Sequence, residues 1–227
     1  MNNKGFTLVE VLAVVVLLSI IMGIATLGVT NTINNARLKS EEIFVDKIDS
    51  LIEDYIDYVN LNKGGFSIDS NQDSMSFDKC YGYGSRGQCK EETTINAYLM
   101  KKKDGYNITL NDLVEANLIN EGDLINPRTK KLCGSDGLED LSNTIIYLFK
   151  DDDAVYYYFV DLEDSCGVEK RKNEDGSYIY VNIINILPDS LIESNSEQLI
   201  SIFGEKYSSY FNNEWDEIYD EEDYDNS

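Results

Sequence analysis

One carboxylate sits where carboxylates are rare. Residues 5–29 read GFTLVEVLAVVVLLSIIMGIATLGV, with Glu10 as the one charged group in that block, and no further charge occurs before Arg37. Placing an ionisable side chain at the edge of a long apolar run costs enough to call for a cation or a function. Lys4 is the only basic residue ahead of it. The other residues with chemistry are four cysteines, Cys80, Cys89, Cys133 and Cys166, all beyond the block. A zinc site built from all four is disfavoured, because neither neighbouring pair has the close spacing of such sites. The chain has no histidine, which removes the commonest general base and the usual nitrogen ligand of metals. Ser-His-Asp, Cys-His and histidine-ligated zinc chemistry are thereby excluded. No Gly-rich phosphate loop offers nucleotide chemistry instead. The acidic runs Asp151-Asp152-Asp153 and Asp161-Leu162-Glu163-Asp164 match no calcium-loop pattern and read as solvated charged turns. The expectation is a chain that is not an enzyme and holds no cofactor or metal.

The element that carries Glu10 can be read from length and periodicity. About 20 apolar residues rising ~1.5 Å each cross a ~30 Å hydrocarbon core, and residues 6–28 are long enough. A secretory signal peptide would place a shorter apolar region behind several basic residues and end at a small-residue cleavage site. Neither feature occurs here, so the block is expected to be retained. Over residues 30–60 the apolar positions Ile33, Ala36, Phe44, Ile48, Leu51, Ile52, Tyr55, Ile56 and Val59 recur mostly every three or four residues, which marks an amphipathic helix. No proline separates it from the apolar block. The two parts are therefore expected to form one helix of about 55 residues, ~80 Å long. Its second half would offer a stripe for a sheet to pack on.

Asn62-Lys63-Gly64-Gly65 favours a helix end. Residues 65–90 lack periodicity and read as an irregular loop, residues 91–103 as a short helix around Ile95, Tyr98 and Leu99, and residues 109–119 as a helix capped by Thr109 or Asn111. Residues 144–149, 154–162 and 178–187 are rich in β-branched and aromatic side chains and predict three antiparallel strands. In the middle strand Tyr156, Tyr158 and Val160 face one side, and Val155, Tyr157 and Phe159 the other. A strand apolar on both faces is expected to be central, with the long helix on one side and loops or another subunit on the other. Residues 190–203 predict a last helix. After Gly204 comes an acidic tail with Trp215, Tyr219 and Tyr224, read as partly disordered and solvated or as a strip that docks on a neighbouring subunit.

Gly5-Phe6-Thr7-Leu8-Val9-Glu10 ahead of a long apolar run resembles the N-terminus of type IV prepilins, including the pseudopilins of type II secretion and DNA-uptake machines. The shared signature is Gly, Phe, Ser or Thr, two apolar residues and Glu. The resemblance implies that prepilin peptidase cuts after Gly5, that the new amine of Phe6 is N-methylated, and that Glu10 meets the Phe6 amine of a neighbouring subunit during assembly. The chemistry is reasonable: cutting creates a cation one helical turn before Glu10, so ammonium and carboxylate can pair inside an apolar bundle. The competing reading is an ordinary membrane anchor whose Glu10 snorkels to the headgroups. Many Gram-negative members carry a proline midway along this helix, where this chain has Gly23 and Gly28. The segment Ile125-Asn126-Pro127-Arg128-Thr129-Lys130 after a short helix also resembles pilins of low-GC Gram-positive bacteria. The implied fold class is α+β, a long spine helix packed against a small antiparallel sheet. Its parts would be a leader at residues 1–5, a transmembrane or filament-core helix at 6–29, an amphipathic half at 30–61, a globular head at 62–204 and the tail at 205–227.

An even cysteine count in a chain destined for the cell surface suggests two disulfides. Three pairings are possible; Cys80–Cys89, closing a short loop, and Cys133–Cys166, tying the Asn-Pro segment to the end of the central strand, are favoured among them. Net charge is −23, and losing Lys4 with the leader takes it to −24. So acidic a body repels nucleic acid and anionic headgroups, and no direct nucleic-acid binding is expected. The reading is a subunit held in the cell membrane by one N-terminal helix, then built by an assembly platform and ATPase into an extracellular filament of one or several pilins. The alternatives are a pseudopilin of a secretion or competence machine, and an unpolymerised membrane-anchored adhesin.

Overall fold

The computed structural model describes residues 8–85, 87–172 and 178–211. It is organised on one uninterrupted helix, α1 (Leu8–Asn62), of 55 residues, matching the length expected from the proline-free run. Only its second half is packed. Phe44, Val45, Ile48, Ile52, Tyr55, Ile56 and Val59 are buried, the stripe that a 3.6-residue period places on one face. The expected stripe positions Ile33 and Ala36 stand exposed instead, because the body begins only at Glu41.

That body is built on a six-stranded sheet. Strands β1 (Ser67–Ile68) and β2 (Met75–Cys80) both pair with β3 (Glu92–Lys101), followed by β4 (Tyr147–Asp151), β5 (Tyr156–Asp161) and β8 (Ile183–Asn185), all antiparallel. Three sequence expectations are corrected. Residues 92–101 form a strand, not a helix: Ile95, Tyr98 and Leu99 suit a helical face, but Ile95, Ala97 and Leu99 also alternate, and pairing with β2 and β4 on both edges decides the matter. Residues 65–90 are not all loop, since Met75 and Phe77 alternate inward along β2. The strand expected over residues 178–187 divides into β7 (Tyr178–Ile179), which pairs with β6 (Arg171–Lys172) in a separate hairpin, and β8.

β5 lies between β4 and β8, apolar on both faces as its composition requires. Tyr158 and Val160 meet the α1 stripe together with Leu148, Met100 and Ile184. Phe159 faces the other way, into a second core with Phe149, Ala97 and Phe77. This second face is covered by α4 (Asp189–Phe203), through Leu191, Leu199 and Phe203, and by the turns that follow, through Tyr207 and Phe211. Phe159 stacks on Phe203 with ring centroids 4.4 Å apart. The chain therefore stays packed as far as α5 (Ser208–Phe211), past Gly204. The acidic stretch at residues 212–227 lies outside the described residues.

Two short helices complete the body. In α2 (Leu110–Glu115) the cap is Thr109, whose N–H donates to Asp112 Oδ2 at 2.7 Å, a carboxylate well placed against the helix dipole. α3 (Glu163–Cys166) follows β5 and ends at Gly167, whose φ of 63° suits a residue without a Cβ.

Candidate functional site

Glu10 occupies the first turn of α1 and is exposed. From Val11 to Met22 every large apolar side chain is more than half exposed, Leu17 at 60% and Ile21 at 61%. These positions run all the way round the helix. A helix that is apolar on every side needs an apolar environment on every side, and each such side chain gains roughly 1.5–3 kcal/mol when it leaves water. The body supplies none of that environment, because among the described side chains of α1 the first buried one is Glu41. The helix therefore projects roughly 50 Å beyond its mount at ~1.5 Å per residue. Among the described residues no helix is long and apolar enough to cross a membrane; the span expected over residues 6–29 includes positions outside that description. Gly5 and Phe6, the expected cleavage and methylation positions, also lie outside it, so the Phe6–Glu10 pairing has no geometry here.

What stands at this end is fixed by the residues themselves. Residues 1–26 match the prokaryotic N-terminal methylation motif. That motif is the signature of type IV prepilins and pseudopilins. Comparison with curated proteins and with solved structures gives no match. Within that motif, the large apolar side chains from Leu8 to Met22 are exposed and unpacked against the body.

The mount of this prepilin-type helix is a buried ionic clasp. Glu41 is 1% exposed. Its carboxylate accepts Arg128 Nε at 2.9 and 3.0 Å and Asn126 Nδ2 at 2.9 Å, and pairs with Arg171 Nη2 at 3.6 Å. Asn126 Nδ2 also donates to the Cys166 carbonyl at 3.0 Å, and Arg128 Nη2 to the Gly167 carbonyl at 3.1 Å. The Asn126 side-chain oxygen accepts the N–H groups of Arg128 and Thr129, at 2.8 and 3.2 Å, so the Asn-Pro segment is a tight turn that aims Arg128 at the helix. Arg171 adds Glu42 at 2.7 Å and the Leu38 carbonyl at 2.9 Å. A buried carboxylate holds its charge only when opposite charge and hydrogen bonds surround it, and here both arginines come from the body. Farther along, Tyr158 Oη donates to Asp49 Oδ1 at 2.7 Å, and Lys47 pairs with Asp123 at 2.6 Å.

The cysteines form Cys80–Cys89 and Cys133–Cys166, the favoured pair of the three possible arrangements. The second joins the turn after the Asn-Pro segment to the end of α3, where the Cys166 and Gly167 carbonyls hold Asn126 and Arg128. It braces the clasp. The first closes an exposed hairpin that presents Tyr83.

The acidic runs, expected as solvated charged turns, are solvated only in part: Asp151 and Asp161 are tied into the body, while Asp153 and Asp164 stay exposed. Asp151 is buried and accepts Lys79 Nζ at 2.6 Å and Tyr157 Oη at 2.8 Å; Asp152 accepts the Asn96 N–H at 2.9 Å, and Asp153 takes Lys79 and Tyr81. Burial works against the Lys79 ammonium, but its bonds to Asp151 and Asp153 outweigh it and raise its pKa. At the second run Lys206 Nζ lies 3.3 Å from Asp161 and 3.0 Å from Asp164. Among the described residues no group of His, Cys, Asp and Glu side chains could hold a metal ion.

Sequence reasoning missed Glu41, Arg128 and Arg171. One signal was present: Glu41 falls in phase with Phe44, Val45 and Ile48, at helical offsets of three, four and seven, so an acid stands on the buried stripe.

Proposed function

We propose that this chain is the structural subunit of a type IV pilus, stored in the cell membrane through α1 and polymerised into a surface filament. The observation that carries the reading is the coincidence of the methylation motif with a helix that is apolar all round and projects from a rigidly clasped body. Prepilin peptidase removes Met1 to Gly5, the Phe6 amine is methylated, and Glu10 pairs with that amine on a neighbouring subunit. An assembly ATPase and platform drive the process. The biochemical work is assembly; the lack of histidine and of any nucleotide motif supports a role that is not enzymatic.

The test is to shear filaments from intact cells and take the accurate mass of the subunit before and after reduction. The expected chain begins at N-methylated Phe6 and gains the four hydrogens of two reduced disulfides. A chain that stays in the membrane fraction with Met1 to Gly5 attached overturns the reading and leaves an anchored surface protein.

A further inference from the structure

A cleft of about 470 Å³ opens between the end of α1, the loop after β3, and α2, a size within the roughly 300–1,000 Å³ of small-molecule sites. Lys63, Lys102 and Lys103 line it together with Asp104, Asp112 and Glu115. In a chain of net charge −23, this lining is electrically balanced. Lys102 and Asp112 engage each other at 2.9 Å, and the Thr109 N–H takes the second oxygen of Asp112. Lys63 and Lys103 form no ion pair among the described residues. Glu115 uses Oε1 for Asn111 and Asp104 uses Oδ1 for the Tyr106 N–H. The other oxygen of each accepts no hydrogen bond among the described residues.

The decisive group is Tyr55. It lines the cleft at 6% exposure, yet its hydroxyl makes no hydrogen bond among the described residues. Burial raises its pKa, and the cleft acids Asp112, Glu115 and Asp104 add to the rise, so the hydroxyl keeps its proton in their field. A hydroxyl this buried and unpaired calls for a partner from outside. Beside it the half-buried Tyr58 pairs with no other ring among the described residues, whereas Phe66 already meets Tyr55 and Tyr156. An anion would meet three carboxylates here, and a cation three ammonium groups. A neutral polyol meets neither penalty. Each of its hydroxyls donates one hydrogen bond and accepts two, so one ring can accept from Tyr55 and the free lysines and donate to Glu115 and Asp104. Its C–H face suits the Tyr58 ring. We propose that the cleft binds a neutral hexose unit of a glycan. Tyr55 lies roughly 70 Å along α1 from Leu8, so sugar binding stands apart from the assembly reading.

The test is saturation-transfer NMR on the full-length chain in a detergent without a sugar headgroup. The probes are the methyl glycosides of glucose, galactose, N-acetylglucosamine and N-acetylgalactosamine. Saturable transfer to at least one of them is expected. Tyr55→Phe keeps the ring that packs on Phe66 and should weaken binding about tenfold, while Tyr83→Phe on the exposed hairpin should leave it unchanged. Transfer to none of the probes overturns the proposal. Undiminished binding by Tyr55→Phe, or equal weakening by Tyr83→Phe, does the same. So does tighter binding of glucosamine or glucuronate, since charge would then select the ligand.

Discussion

The two halves of α1 present equally apolar side chains to opposite fates. Ile52 in the second half is fully buried, while Leu17 in the first is 60% exposed. The second half confines its apolar residues to a stripe, and a stripe can be satisfied by one sheet face from the same chain. The first half has no polar side to turn outward, so no single sheet face could satisfy it. Each half also sets an acid among its apolar positions. Glu41 finds its cations within the body, and Glu10 sits where the body offers none of its packing. The contrast separates what this chain does for its own stability from what it leaves for assembly.

The strongest way to break that contrast is at the clasp. Glu41→Ala strands two arginines and should cost about 3–5 kcal/mol in chemical denaturation of the body, with Glu41→Gln costing less because a side-chain oxygen survives. A loss under about 1 kcal/mol would show that the clasp does not hold the helix. Replacing Cys133 and Cys166 by serine should cost about 4 kcal/mol, against about 3 kcal/mol for Cys80 and Cys89, because the first bridge spans 33 residues and the second 9. Urea midpoints of the two variants test the order. Ile52→Ala should cost about 2–5 kcal/mol and Leu17→Ala less than about 0.5 kcal/mol in the same assay; equal losses would mean the free half packs on the body after all.

The pH range of stability sharpens the same picture. Asp69 is pulled toward a higher pKa by burial, but the Asn71 N–H and Lys101 outweigh this and hold it below its ordinary 3.8. The Asn96 N–H lowers Asp152, and Tyr81 and Lys79 lower Asp153. A carboxyl depressed in the fold adds stability above its unfolded value, lost as pH falls through the folded one. Lys79, raised above 10.5, adds stability below that value, lost as pH rises through its folded pKa. Melting temperatures should therefore be level through neutral pH, fall below about pH 4 and fall again only above the ordinary lysine range. A decline beginning near pH 6 would contradict these pairings. The smallest effect on stability belongs to Glu10→Ala, within about 0.5 kcal/mol for the body, yet that variant should yield processed subunits and few sheared filaments. Wild-type filament yield would end the pairing argument at Glu10.

Much of this molecule was legible without coordinates. The motif at Gly5 to Glu10, the length of α1 and the two-faced character of β5 are local patterns: a short ordered string, a long unbroken period, and alternation with apolar residues in both phases. Their meaning does not depend on what the chain meets later. Residues 92–101 were illegible for the opposite reason, since helical and strand periods fitted equally and only pairing with β2 and β4 could choose.

The candidate site divides along the same line. Sequence fixed upon Glu10 because its apolar surroundings are its own neighbours in the chain. Glu41 could be marked only as an acid in phase with a buried stripe, because its partner Arg128 lies 87 residues away, and the charge of one residue says nothing about which distant cation will meet it. The same holds for the four cysteines, whose count implied two bridges while the folded path chose the pairing. What the sequence determined by itself was the features whose local pattern admits one reading; what only the tertiary structure decided was which charges, thiols and strand edges meet, since those encounters depend on how the chain returns to itself in space.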